Sequence, residues 1–282
     1  MSTEQGVLYV VATPLGNLGD FSARAQETLA SVALIAAEDT RHSARLLRHF
    51  SITTPLIALH EHNERERSAD LIARLQSGAA LALISDAGTP LISDPGYTLV
   101  QAAHAARIRV CPVPGPSALI AALSASGLPS DRFAFEGFLP PRAAARRTQL
   151  AAVQHEQRTL IFYEAPHRLL ASLNDMCSVF GATRAAVLAR EITKLFETIR
   201  HDSLQGLCDF VSGDPQQQQG ECVILVHGAP APQTTEHAIA LDTETLLRAL
   251  LAELPIKQAA RLAAAISGAK KNDLYDLALR LK

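Results

Sequence analysis

The stretch Ser85-Asp-Ala-Gly-Thr-Pro-Leu-Ile-Ser-Asp-Pro-Gly96 has the make-up of a ligand loop. It exceeds the roughly 2–6 residues that usually join a strand to a helix. Its small residues let a bound molecule approach the backbone, and its two prolines hold one shape. A carboxylate such as Asp86 suits an amino group or a ribose hydroxyl. Two other loops carry weaker signals when taken alone. Ala12-Thr-Pro-Leu-Gly-Asn-Leu-Gly-Asp20 reads as a strand-to-helix turn, with Pro14 where a dinucleotide fold wants glycine. Neither that glycine fingerprint nor a P-loop is present, so NAD, FAD and ATP are poor candidates. In Pro112-Val-Pro-Gly-Pro-Ser-Ala118, the Gly115-Pro116 pair fits a helix start that leaves amides near Ser117 and Ala118 free to meet a carboxylate or an adenine nitrogen. His60-Glu-His62 reads as two solvated histidines on a strand face, and no metal is expected.

These loops need a frame, and the apolar runs supply one. Strands are predicted at residues 7–12, 34–37, 56–59, 80–84 and 109–113. Helices are predicted between them at 21–32, 40–50, 63–76 and 97–106, with another following at 117–126. Strands without internal polar alternation, separated by helices, indicate a parallel sheet covered on both faces. A second such unit begins near Asp131, with strands at 133–137, 159–163, 185–190 and 222–227 and helices at 142–154, 166–180 and 203–212. Gly213 to Gly220, with its four glutamines, reads as a solvated turn. The Pro- and Thr-bearing stretch Gly228 to Thr235 reads as a linker. Helices at 255–266 and 272–281, around Ser267-Gly268, then form either a helix-turn-helix or a two-helix cap. The expected fold class is therefore α/β: an N-terminal α/β domain (1–127), a C-terminal α/β domain (128–228), and a linker with a small helical unit (229–282).

The formal charge of -2 over 282 residues excludes a protein that coats nucleic acid electrostatically. An RNA substrate would have to be met by local basic patches or by shape. Pro140-Pro-Arg-Ala-Ala-Ala-Arg-Arg147 offers such a patch: Arg142 and Arg146 stand four apart on one helical face, with Arg147 beside them. Lys270 and Lys271 offer a second. Cys111, Cys177, Cys208 and Cys222 are widely spaced and read as free thiols, the start Met1 to Gly6 is short and polar, and no apolar run has membrane-spanning length. A cytoplasmic protein without membrane contact is expected.

Taken together, the ordered motifs Ala12–Asp20, Glu38-Asp-Thr-Arg41, Ser85–Gly96, Val113-Pro-Gly-Pro-Ser117, Tyr163-Glu-Ala-Pro-His-Arg168, Arg190-Glu-Ile-Thr-Lys194 and Gly220-Glu221 resemble the tetrapyrrole-methylase superfamily of S-adenosylmethionine-dependent methyltransferases. Within it they are similar to the branch acting on small-subunit ribosomal RNA. The resemblance spans about Gly6 to His227. The helical unit also looks like that branch's, through Leu254-Pro-Ile-Lys-Gln-Ala259 and Asn272-Asp-Leu-Tyr275.

This resemblance implies S-adenosylmethionine held in a cleft between the two α/β domains, a homodimer, and 2′-O-methylation of a cytidine ribose in 16S RNA, free or in the assembled subunit. It implies that Pro14 lines the cofactor site and that Asp86, Ala87, Gly88 and Thr89 approach the methionine and ribose parts. Ser117 and Ala118 would sit beside the cofactor, and Tyr163, Gly220 and Glu221 would close it from the second domain. Where corrin and porphyrin methylases carry Gly-Asp-Pro, this chain has Gly88-Thr-Pro90, which leaves open what meets the cofactor's carboxyl end. Asp39, Glu191 and Lys194 follow strand ends and are the catalytic candidates. Either carboxylate would take a proton, and Lys194 would stabilise an alkoxide or bind a phosphate. Structural ion pairs, Glu38 with Arg41 and Glu191 with Arg168, are the competing reading. A small tetrapyrrole as methyl acceptor is the alternative substrate, and a binding module without chemistry is the rival class.

Overall fold

The computed structural model describes residues 6–231 and 236–281. The polar start before Gly6 and the later part of the linker, residues 232–235, lie outside the described residues. The chain folds as two compact units, one ending at Ala229 and the other beginning at Pro230.

The first unit holds two five-stranded sheets. In the first, β1 (Val7–Val11), β2 (Leu34–Ala37), β3 (Leu56–Ala58), β4 (Leu81–Ile84) and β5 (Arg109–Val113) run parallel in the order β3-β2-β4-β1-β5. Successive side chains alternate between two cores, as strand geometry requires. Val11, Ile35, Ala37, Ala82 and Ile84 pack with Ala25 and Leu29 of α1 (Ala23–Ser31) and Leu47 of α2 (Thr40–His49). Leu8, Leu34, Ala36, Leu81 and Leu83 pack with Leu71 and Leu75 of α3 (Glu64–Gln76) and Leu99 and Ala103 of α4 (Tyr97–Ala105). This is the doubly covered parallel sheet that the sequence predicts.

The second sheet corrects the expectation of another parallel unit. It comprises β6 (Phe133–Phe138), β7 (Thr159–Glu164), β8 (Ala185–Arg190), β9 (Thr198–Ser203) and β10 (Cys222–Val226), in the order β6-β7-β10-β8-β9. Only β6 and β7 are parallel; β10 runs antiparallel to both neighbours, and β8 antiparallel to β9. The strand β9, Thr-Ile-Arg-His-Asp-Ser, has no apolar run because it is a largely exposed edge strand. One face packs under α6 (Ala143–Ala152), α7 (Leu169–Phe180) and α8 (Leu204–Gly213). The other receives Leu119, Ala122 and Leu123 of α5 (Ala118–Ser126), so the helix leaving the first sheet packs on the second.

The second unit is three helices: α9 (Glu236–Glu253), α10 (Ile256–Ser267) and α11 (Lys271–Leu281). Leu247, Ala259, Ala260, Ala263, Leu274 and Ala278 form its core. The sequence reading missed α9. Gly268, in the left-handed region at φ 72°, ends α10.

One buried carboxylate fixes how the long loop re-enters the first sheet's helical layer. Gly96, the N-cap of α4, has no side chain to cap the helix, and Glu64 at the start of α3 does so instead. It accepts the amides of Gly96, Thr98 and Leu99 at 3.1, 2.6 and 3.3 Å, at 8% exposure. Removing this acceptor strands three amides at a helix N-terminus. Glu64→Ala is expected to lower stability in urea unfolding by about 2–3 kcal/mol, and Glu64→Gln by less.

Candidate functional site

The carboxyl ends of the first sheet's strands carry the three suspect loops, where an open parallel sheet binds its ligands. The loops are tied to one another. Thr13 and Gly88 exchange two backbone hydrogen bonds of 2.8 and 3.0 Å, and the Thr13 hydroxyl donates to the Ser85 carbonyl at 3.2 Å. The Thr89 hydroxyl donates to the Pro116 carbonyl at 2.9 Å, joining the third loop. Leu91 and Ser93 adopt left-handed backbone angles, φ 72° and 66°. Such strain persists only where the surroundings over-determine it.

Between these loops and the second sheet lies a cavity of about 400 Å³. Its walls include Leu15, Asp86, Ala87, Gly88, Thr89, Ser117 and Ala118 from the first side and Phe138, Tyr163, Glu164 and Glu221 from the second. Eight of the ten expected cofactor residues therefore come together. Pro14 is buried and outside the wall, next in sequence to the wall residue Leu15, and Gly220 likewise precedes the wall residue Glu221. The helix after the third loop starts later than expected: Ser117 is the N-cap of α5 and Gly115-Pro116 precedes it.

Sequence reasoning passed over the most unusual electrostatic feature. Glu38, Asp86 and Asp94 all line the cavity, and among the described residues none forms an ion pair. Burial raises the pKa of Glu38, and the charge of Asp86 adds to the effect. Burial, then the charge of Glu38, pushes Asp94 up to about 7 against the opposing Ser85 hydrogen bond. Crowded carboxylates without cations suit a ligand that brings positive charge. The signal for Asp94 was the second acid of the Ser85–Gly96 loop.

On the second side, the Tyr163 hydroxyl accepts the Leu119 amide at 3.2 Å, and burial holds its pKa up at about 12. The phenol stays protonated and keeps a hydrogen to donate. Phe135 and Phe138 stand edge-on to it, with ring centroids 4.8 and 5.5 Å away. Glu164 is buried and accepts from Ser172 at 2.5 Å and Arg168 at 2.6 Å, so it is a satisfied wall group.

None of the three catalytic candidates is in the wall. Asp39 is the N-cap of α2, accepting from the amides of Arg41 and His42. The Arg41 guanidinium and amide hold its carboxyl down at about 2. Arg41 thus pairs with Asp39 and not Glu38, and Arg168 pairs with Glu164 and not Glu191. Glu191 meets Lys194 at 2.9 Å, and Lys194 reaches Glu221 at 3.2 Å. Burial opposes both charges, yet the Glu221 amide with Lys194 lowers the Glu191 pKa, and the two carboxylates raise that of Lys194. Glycines let the clasp close tightly from both sides, and Gly220 also adopts φ 79°. A Cβ at Gly16 would lie 2.5 Å from Lys194 Cγ, and one at Gly220 2.3 Å from the Glu191 carboxyl carbon.

The arginine patch needs one correction. Arg146 is 4% exposed; it holds Asp175 at 2.6 Å and donates to the carbonyls of Pro140 and Pro141. A buried guanidinium with its donors spent cannot reach a phosphate. Arg142, the N-cap of α6, is exposed, and Arg147 is half exposed beside Asp175. Lys270 and Lys271 are exposed at the start of α11 in the second unit. His60 and His62 lie in the turn after β3, ring centroids 6.0 Å apart.

Residues 7–208 match the sequence family described as Tetrapyrrole (Corrin/Porphyrin) Methylases, and residues 237–282 match the RsmI C-terminal HTH domain. The protein named Ribosomal RNA small subunit methyltransferase I from Pseudomonas aeruginosa is 64% identical over 275 residues, covering 98% of this chain and 97% of that protein. Its namesake from Escherichia coli O157:H7 is 54% identical over 275 residues, covering 98% of this chain and 95% of its own length. In structure, uroporphyrin-III-C-methyltransferase from Thermus thermophilus superimposes with a TM-score of 0.56 at 19% identity, over 79% of this chain and 94% of that one. At that identity the likeness concerns the fold alone.

Asp94 makes a direct test of the cavity's electrostatics possible. Its folded pKa lies above the ordinary 3.8, so the folded state holds a proton that the unfolded chain has released. The stability this contributes is fully present below about pH 4 and lost as pH rises through about 7. Thermal unfolding of the ligand-free protein at stepped pH should show that decline, and Asp94→Asn should flatten it. A variant with the parent's pH slope would mean that Asp94 is not the group responsible.

Proposed function

Because the chain belongs to the tetrapyrrole (corrin/porphyrin) methylase family, we propose that it transfers a methyl group from S-adenosylmethionine to the ribose 2′-oxygen of a cytidine in small-subunit (16S) ribosomal RNA. The substrate class rests on near full-length relatives whose names specify small-subunit ribosomal RNA. The observation that carries the chemistry is a cavity walled from both sheets in which Glu38, Asp86 and Asp94, the three carboxylates of the first side, have no cationic partner among the described residues. When bound, S-adenosylmethionine supplies a methyl group on a sulfonium, and its ammonium and sulfonium charges fit those carboxylates.

Asp86, Ala87, Gly88 and Thr89 hold the cofactor with Ser117 and Ala118, and Pro14 supports the first loop from behind. Tyr163 donates its hydroxyl hydrogen into the cavity, and Glu221 closes the wall. The catalytic roles divide differently from the first expectation. Asp94, which changes charge near neutral pH, accepts the proton leaving the ribose hydroxyl. Lys194 and Glu191 act as positioning residues that fix Glu221, and Asp39 keeps α2 in place. In-line displacement needs little beyond this alignment and the exclusion of water.

Arg142 and Arg147 contact the RNA backbone from the first unit, and Lys270 and Lys271 from the second. The charge of -2 favours a structured substrate, the assembled subunit, over naked RNA. The protein acts in the cytoplasm as a homodimer, for which Leu195 and Phe196, 90% and 67% exposed, provide apolar surface. Light scattering of the purified chain checks the dimer.

The test is to incubate the protein with labelled S-adenosylmethionine and small subunits from cells lacking the gene, then map the labelled nucleoside. Label on a cytidine 2′-oxygen is expected. Asp94→Asn should lower kcat, while Arg142→Glu with Arg147→Glu should raise KM for the subunit and spare cofactor affinity. Cofactor binding without label on subunits or naked RNA would move the assignment to a small-molecule acceptor such as a tetrapyrrole.

A further inference from the structure

Phe138 is the last residue of β6 and stands in the cavity wall at 52% exposure. Scattered apolar side chains on a surface need no explanation, but the backbone goes out of its way to put this one here. β6 pairs with β7 in regular register up to Phe135 opposite Ile161, and the register then shifts, so that Gly137 faces Phe162 and Phe138 faces Tyr163. Without that extra residue Phe138 would fall opposite Glu164, on the face that packs under α6 and α7. A one-residue shift reverses which face a strand residue serves, and bulges beside binding sites re-aim side chains in this way. Gly137 adopts φ 67°, an angle that a residue with a side chain adopts only under strain.

The ring is also held. Tyr163 meets it edge-on at 5.5 Å, and the Tyr163 hydroxyl is anchored by the Leu119 amide. The aromatic ring is thereby held in the cavity wall while about half of the residue stays exposed. Four residues on, the exposed Arg142 caps the start of α6, and Arg146 holds the intervening Pro140-Pro141 turn by donating to both proline carbonyls. A rigid aromatic face followed by exposed cations is the pairing that proteins use for unstacked nucleotides, base on ring and phosphate on guanidinium.

Resting on the methyltransferase reading above, we propose that Phe138 is the platform on which the base of the target nucleotide stacks as its ribose enters the cavity. It is a specificity and positioning residue for RNA, distinct from the groups that hold the cofactor.

The chain contains no tryptophan, so Phe138→Trp would place a single indole at the platform. At saturating concentration a cytidine-containing single-stranded segment of 16S RNA, which supplies the base without the subunit's shape, should quench its fluorescence, and S-adenosylmethionine alone should not. In steady-state methylation of small subunits, Phe138→Ala should raise KM for RNA roughly tenfold. Phe138→Leu should behave like Ala, Phe138→Trp should retain most of the affinity, and cofactor affinity by calorimetry should hold in all three. Thermal unfolding checks that each variant is folded. Full recovery by Leu would reduce the ring to apolar bulk. Quenching by the cofactor, or its weaker binding to the Ala variant, would assign the ring to the cofactor instead. Parent KM in Phe138→Ala, with the parent labelling RNA, would overturn the stacking role alone. A parent protein that labels no RNA would bring down both readings.

Discussion

Two backbone hydrogen bonds between Thr13 and Gly88 hold the site together. They join the loop after β1 to the loop after β4, and the Thr89 hydroxyl extends the tie to the loop after β5. Three strand ends thus share one rigid rim, although the loops are far apart in sequence. With that rim fixed, the loop after β4 can sustain left-handed angles at Leu91 and Ser93 and still present Asp86 and Asp94 inward. Glu64 completes the restraint by pinning the loop's far end to α4.

The two sheets contribute opposite kinds of surface. The first brings carboxylates whose mutual repulsion is eased because Asp94, pushed up to about 7, takes up a proton as pH falls through neutrality. The second brings aromatic rings and a phenol that keeps its hydrogen. The sides meet through the Lys194 side chain, which lies over Gly16 of the first loop while bonding Glu191 and Glu221 of the second sheet. Lys194 thus binds the halves while packed so closely on Gly16 that a side chain there would have to displace it.

Much of the first sheet was legible because buried parallel strands advertise themselves as apolar runs, and its loops stood out by length and composition. The second sheet was less so. Apolar runs separated by helices point to parallel strands, but β7, β8 and β10 are apolar because both faces of their sheet are covered and not because they run parallel. The strand β9 hid because an exposed edge strand needs no apolar pattern. Arg146 looked like its neighbours Arg142 and Arg147 because charge alone does not reveal that Asp175, 29 residues onward, waits to bury it. Asp39 sat at a strand end as an active-site acid should, but it also sat where a helix wants its cap. Asp94 and Phe138 depended on features that no spacing encodes: the packing of three acids in space, and a bulge that exists only once β7 is alongside.

The order of the second sheet has a consequence for how the protein is made. Among the described residues β10 is the final strand, yet it lies between β7 and β8. While the chain is being synthesised, β7 and β8 therefore wait with open edges toward each other, and the apolar side chains that β10 will cover remain exposed. The same strand delivers Cys222 and Val223 to the cavity, with Glu221 just before it. A partial chain is thus sticky and has no finished cavity, whereas insertion of one strand closes the sheet and completes the cavity wall together. Birth of the enzyme and birth of its binding capacity become a single late event, and a truncated product would be exposed to proteases rather than competing for ligand.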